Sequence, residues 1–442
     1  MTIPKKPNLL RAGAARTDIT PPLGTHLCGF IARLSPATGI ADPLHSRAVV
    51  ISSGDASIAI VQLDLLGLAS WQVTTIKSRC RELLGIPPER VLISATHTHS
   101  APGLVSLRGG HVAPYQYQWL VVDRTIAALR KAYATRKNIR LAAARVPFRM
   151  GINRRQDTPD GVVLGVAPEK PAPRSLDVLV ARTSKRDLFY LFSHAAHPYM
   201  LGGESTLVSG DFPSLASAEL ERTGAVALFL NGCAGNIAPE RAFQGLQAAR
   251  EEGQRLSAAV RDAAHQAIPL DATPIAGFSS PVHLPYRMLP SAEQIRAIQG
   301  QQERTVRPEE RSNDVIQERI RAAMGLWATE MHQVLELRRL LEPVLCEVQV
   351  LRMGDLQLVG FAGEPFFEIG EQVTRAAKLP YTWALGYCNA YCGYVPTRRA
   401  FSEGGYEVND SYRYLGTWQI DPSCEQRVVR SARDLMRKAA QT

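Results

Sequence analysis

The chain has 442 residues, 45% of them hydrophobic and 21% charged, with a formal net charge of +10. That length and apolar fraction can bury a sizeable core, which excludes a disordered chain. The basic residues are scattered in small clusters such as Arg398-Arg399, with no block of five or six like charges and no interleaved aromatics, so no nucleic-acid partner is expected.

No apolar stretch reaches the roughly 18 residues of a membrane span, so no stable membrane association is expected. The start, Met1-Thr2-Ile3-Pro4-Lys5-Lys6, is followed by no apolar run of signal-peptide length. Seven Cys residues occur without a CxxC pair. A reducing, cytoplasmic setting is the expectation.

In chain order, residues 47–52 and 57–64 predict two strands turning at Gly54-Asp55. A helix follows over 70–84, stopped by Gly85 and Pro87, and a strand over 90–95. Strand, helix, strand in this order predicts parallel pairing and an α/β fold. The pattern continues with a helix over 115–137 and strands over 140–148, 176–183 and 187–194. A short buried strand over 226–231 and a helix over 240–267 come next. Residues 291–342 predict helices broken at Pro308 and rich in Gln, Glu and Arg, the signature of an insertion or lid. A hairpin over 345–352 and 356–361 turns at Gly354-Asp355, and a helix covers 366–377. No internal repeat and no Ser/Gly-rich linker is visible. The expected architecture is one large catalytic domain over 1–442. It has a mixed β-sheet core, flanking helices and a helical insertion at about 290–342.

Four segments carry chemistry. In Ser94-Ala95-Thr96-His97-Thr98-His99, two His stand two apart directly after an apolar strand. The carboxyl end of a parallel strand is where open α/β sheets place ligands, and neutral imidazole is the commonest protein ligand for zinc-like metals. In His194-Ala195-Ala196-His197-Pro198, His197 sits on extended or turning backbone ahead of Pro198. His194 reads either as a further ligand or as a satisfied core residue. Asp211, nearby, reads as a helix cap or a carboxylate supporting a ligand. Glu364 in Gly363-Glu364-Pro365 follows an apolar strand and needs a partner if buried; a helix cap is the competing reading. Tyr391 and Tyr394, followed by Tyr406, end the set, with packing as the bland alternative. Two His and one Glu with an open position form a known catalytic zinc set. Zinc there acidifies water and polarises a carbonyl.

These segments, in this order, resemble the neutral/alkaline ceramidase family. The similarity begins at 13–24 (GAARTDITPPLG) and runs through THTHSAPG, GINRR, HPYMLGG, SGDFP, LNGCAGNIAP, GEPFFEIG and NAYCGYVPT, over most of the chain. The resemblance implies a single Zn2+ per chain held by His97, His197, Glu364 and Tyr394. His99 then falls on a second active-site His, the proton carrier, and Arg154 and Tyr406 on groups that orient the acyl group or its oxyanion. The register rests on the spacing from Tyr394 to Tyr406.

There are two departures. Where the family carries an active-site Ser, this chain has Ala238 in Gly235-Asn236-Ile237-Ala238-Pro239. The family also carries a C-terminal β-sandwich domain, which is not expected here. Both point away from ceramide, toward a small soluble acyl substrate. The leading expectation is zinc-dependent hydrolysis of an amide. A zinc esterase or lactonase is the alternative, and a non-catalytic binding relative the second.

Overall fold

The computed structural model describes residues 10–299, 313–338 and 340–442. Among these residues the chain makes three larger sheets of mixed direction, flanked by helices, as the expected α/β class requires. No described helix is long and apolar enough to cross a membrane.

All three sheets follow one chain path. Three strands pair antiparallel, a helix crosses over, and a fourth strand returns parallel to the third. The first unit uses strands Leu10–Asp18, His45–Ser53 and Ala56–Leu63, crossover helix Ser70–Leu84 and strand Val91–Ala95. The second uses strands Arg140–Pro147, Ser175–Arg182 and Asp187–Ser193, helix Asp211–Glu221 and strand Val226–Phe229. The third uses strands Ile275–Leu284, Val344–Met353 and Leu356–Phe361, helix Phe367–Arg375 and strand Tyr381–Leu385. A second helix packs beside each crossover helix: Tyr115–Ala134, Gly245–His265 and Cys424–Ala440. This threefold repetition has no counterpart in the sequence, which shows no repeat. Topology constrains burial pattern and chain length, not residue identity.

The packing explains the apolar runs. The inner faces of the three sheets meet in one core that includes Ile58, Leu92, Leu179, Leu228, Leu358 and Trp383. Each outer face is covered by its own helix pair, as where Val61 meets Ile76 and Val121, or Phe229 meets Phe212 and Leu256. Strands buried on both faces read as continuous hydrophobic runs rather than alternating ones.

Three strands of the repeating units escaped the sequence reading. Leu10–Asp18 is rich in Ala, Gly and Arg, which are weak strand formers. Ile275–Leu284 contains Pro281 and lies at a sheet edge, where a missing N–H is tolerated. Tyr381–Leu385 is short, five residues. The helix expected from 240 starts at Gly245 instead.

The helices expected at about 290–342 are observed at Ala292–Gln299 and Asp314–Glu336, and Pro308 lies outside the described residues. They enter between the first and second strands of the third unit. Arg319 binds the carbonyls of Arg33 and Gly109, Arg108 pairs with Glu330, and Trp327 Nε1 donates to Thr417 O. The longer helix is thereby tied to loops of the first unit and of the chain's last part.

Candidate active site

The third and fourth strands of each unit run parallel, and their carboxyl ends converge at one end of the molecule. His97 stands two residues past Ala95, His197 four past Ser193, and Glu364 three past Phe361. The sequence reading placed these residues at strand ends; the structure brings the ends together.

His97 adopts φ 71°, a left-handed conformation that costs a non-glycine residue energy. It is held there by its N–H on Leu65 O (2.9 Å) and its Nδ1 on Leu66 O (2.7 Å). His197 Nδ1 lies 2.7 Å from Ala234 O. In a neutral ring the nitrogen facing a carbonyl carries the proton, which leaves the Nε2 lone pair of each ring facing the site. They lie 3.3 Å (His97) and 3.0 Å (His197) from the same oxygen, Glu364 Oε2. The other oxygen, Oε1, accepts from Tyr391 Oη at 2.6 Å. Gly363 aims this carboxylate: its φ is +69°, and a Cβ would stand 2.2 Å from Gly393 O, so only glycine fits.

Two imidazole lone pairs against a buried carboxylate repel unless a positive charge lies between them. A proton is a poor candidate at His197, where burial and then Arg154 pull the pKa down to about 4. Burial opposes the charge on Glu364, yet the His97 and His197 contacts hold it well below the usual carboxylate range. Two borderline-soft nitrogens and one anionic oxygen converging in this way fit a zinc-type divalent cation.

His99 completes the cluster. Its ring nitrogen and those of His97 and His197 all lie within 4.8 Å of one another. Its Nδ1 is 3.0 Å from Gly29 O, while its Nε2 is sealed from solvent without a hydrogen-bond partner. Burial, with the neighbouring imidazoles of His97 and His197, holds His99 well below 6.5, so it is neutral at physiological pH. A pKa near 6.5, the ordinary value, does not apply here.

Arg154 sits opposite. Its guanidinium donates to Glu407 (3.0 Å), Gly235 O (2.8 Å) and the Tyr394 hydroxyl (3.0 Å). Burial works against its charge, but Tyr394 and Glu407 keep it firmly protonated. Tyr394 pairs with Glu364 along the backbone, its hydroxyl directed to Arg154, and its ring lies 5.8 Å from that of Tyr406.

A cavity of about 550 Å³ opens on these groups, within the range of small-molecule sites. His97, His99, Arg154, Glu364, Tyr394 and Tyr406 all line it. Apolar walls come from Phe30, Ile31, Leu107, Ile152 and Phe243.

No protein-family model matches the chain. Over 79 residues it is 34% identical to a neutral ceramidase of Mycobacterium tuberculosis, a match covering 16% of this chain and 12% of that protein. A solved ceramidase complexed with C2 superposes with a TM-score of 0.75 at 19% identity, over 98% of this chain and 76% of that one. The neutral ceramidase from Pseudomonas aeruginosa gives 0.71 at 21% identity, over 98% and 75%. The chain has the neutral ceramidase fold.

Within this ceramidase fold, Ala238 lies on the strand Ile237–Pro239, which pairs with Gly151–Asn153, and it lines the cavity. The chain presents a methyl group there and no hydroxyl. His194 bonds Ser175 O (2.9 Å) and the Gly151 N–H (3.2 Å) and is a satisfied core residue. Asp211 begins its helix, bonding Phe212 N and Leu201 N; it steadies the turn after His197 rather than the ring itself.

Tyr391, singled out in the sequence without a role, and two residues the sequence reading missed, Tyr387 and Glu407, also serve the site. Tyr391 orients Glu364. Tyr387 stacks on His97 with ring centroids 4.2 Å apart. Glu407 bridges Arg154 and Arg155, the latter at 2.7 Å. Its only sequence signal was its place beside Tyr406, and its partners are 252 and 253 residues away. Glu407→Gln is expected to lower stability by about 3–5 kcal/mol, because two buried guanidiniums lose their shared counter-charge. Denaturant unfolding measures this; wild-type stability in the variant would show that the arginines find other compensation.

Proposed function

We propose that this chain is a zinc-dependent hydrolase of acyl bonds, acting by preference on the amide of a small soluble N-acyl compound. The observation that carries the reading is the convergence of His97 Nε2 and His197 Nε2 on Glu364 Oε2, with both Nδ1 atoms committed to backbone carbonyls. The similarity to ceramidase structures supports an amide as the substrate bond. Tyr394, next to Glu364 along the backbone, is the fourth group assigned to the metal.

Zinc bound in this set supplies Lewis acidity toward a carbonyl oxygen and lowers the pKa of water. The chain's own residues supply the rest. Glu364 offsets the cation's charge, with Tyr391 fixing which oxygen faces the histidines. His99 Nε2, neutral and unpartnered, accepts a proton from the attacking water and returns it to the leaving nitrogen. Arg154 cannot act as a base because it stays protonated; with Tyr406 it holds the acyl oxygen as charge develops. The chain lacks a hydroxyl at Ala238, and nothing in this arrangement requires a serine nucleophile.

The same geometry serves an ester or lactone, so bond type is read from a panel. The zinc-loaded protein is expected to turn over short soluble N-acyl compounds faster than matched esters, and faster than a long-chain ceramide in detergent. Chelation should abolish turnover and zinc should restore it. A protein expressed with ample zinc that retains no transition metal would remove the basis of the proposal. Efficient ceramide hydrolysis would remove the substrate preference alone.

A further inference from the structure

The cavity has a second charged end. Three guanidiniums line it, from Arg108, Arg154 and Arg319. Arg108 is paired with Glu330 and Arg154 with Glu407. Arg319 is different: its Nη1 and Nη2 donate to the carbonyls of Arg33 (2.7 Å) and Gly109 (2.6 Å), and no carboxylate of the described residues meets it. Burial draws its pKa below the ordinary value, as for a cation short of a counter-ion. Glu240, also on the cavity wall, faces Arg149 instead, at 4.0 Å. Five N–H groups in a planar fork, two of them anchored, leave the remainder able to take a carboxylate.

The path between the two ends is short and apolar. Phe30 lies against His99, with ring centroids 5.0 Å apart. Ile31 packs on the inserted helix, against the cluster of Ile316 and Ile320. The carbonyl of Arg33 is one of the two that Arg319 binds. Phe30 and Arg33, three positions apart, thus connect the catalytic His to the lone guanidinium along the cavity wall.

We infer that Arg319 binds a carboxylate at the far end of the substrate. The substrate class is then an acyl compound whose scissile carbonyl and terminal carboxylate are separated by an apolar spacer. This rests on the hydrolase reading for the word substrate, but not for the site itself. The inserted helix gains a role: it brings the specificity residue to a cavity whose chemistry comes from the sheet ends.

The test separates binding from turnover. Linear α,ω-dicarboxylates of graded length, as product analogues, are compared with monocarboxylates of the same length by calorimetry on the zinc-loaded protein. Wild type is expected to bind the best-fitting dicarboxylate about 10- to 100-fold tighter, the usual worth of a hydrogen bond to a charged group. Arg319→Gln, which keeps a donor for the carbonyls, should erase that preference, and Arg319→Lys should restore part of it. Equal affinity for the two series in wild type, or a preference that survives Arg319→Gln, overturns the inference. The ω-carboxyacyl anilides of the same series then report on catalysis. An Arg319-dependent preference with no turnover would keep the carboxylate site and sink the hydrolase reading. Turnover without the preference would do the reverse.

Discussion

His197→Ala is expected to strip the protein of most of its metal and, with it, its turnover. The His197 ring is fully buried, and its Nδ1 is pinned by Ala234 O. No other described imidazole besides His97 touches Glu364 Oε2. Loss of a group that merely supports a ligand costs about 10- to 100-fold in metal affinity; loss of a ligand should exceed that. His97→Ala is expected to behave alike. Glu364→Gln is the milder companion, since it keeps the volume and removes only the charge. It should fold, bind metal more weakly and lose activity. Elemental analysis, melting temperature and turnover on one preparation decide the matter. A His197→Ala protein with full metal content and wild-type turnover would place the metal elsewhere.

His99→Ala is expected to lower turnover by about 10²- to 10⁴-fold, the range for a lost general acid or base, while zinc stays bound. The warrant is the sealed, unpartnered Nε2 beside the two Glu364-bound imidazoles. The structure sharpens the competing reading. The three ring nitrogens lie within 4.8 Å of one another, so His99 could itself be a ligand. Zinc content in His99→Ala tells these apart: retained metal with slow turnover makes His99 the proton carrier, and lost metal makes it a ligand. A purely structural His99 would lower the melting temperature and leave the folded fraction at wild-type rate. Arg154→Ala should cost about 10²- to 10³-fold, as for one positioned donor at a developing oxyanion.

The two readings of Glu364 show how far local pattern reaches. Sequence presented it equally as a helix cap or as a ligand, because a carboxylate after an apolar strand satisfies either description. The structure buries it between His97 and His197, where a cap role has no geometry. His194 was open in the same way and became a core residue once Ser175 O and Gly151 N were seen on its two nitrogens.

By itself the sequence determined the type and approximate limits of the elements it predicted, and the placing of His97, His197 and Glu364 at strand ends. These follow from hydrophobic period and from Gly and Pro punctuation, which act within a few residues. The ordered motifs also carried the resemblance that the fold bears out. Only the tertiary structure decided the threefold repetition of the sheets, the pairing of Arg154 and Arg155 with Glu407, the lone charge of Arg319 on the cavity wall, and the meeting of three strand ends. Each of these joins residues a hundred or more positions apart. No local period encodes such a contact; it exists only because three sheets must bury their inner faces against one another, and in doing so they bring their carboxyl ends to one place.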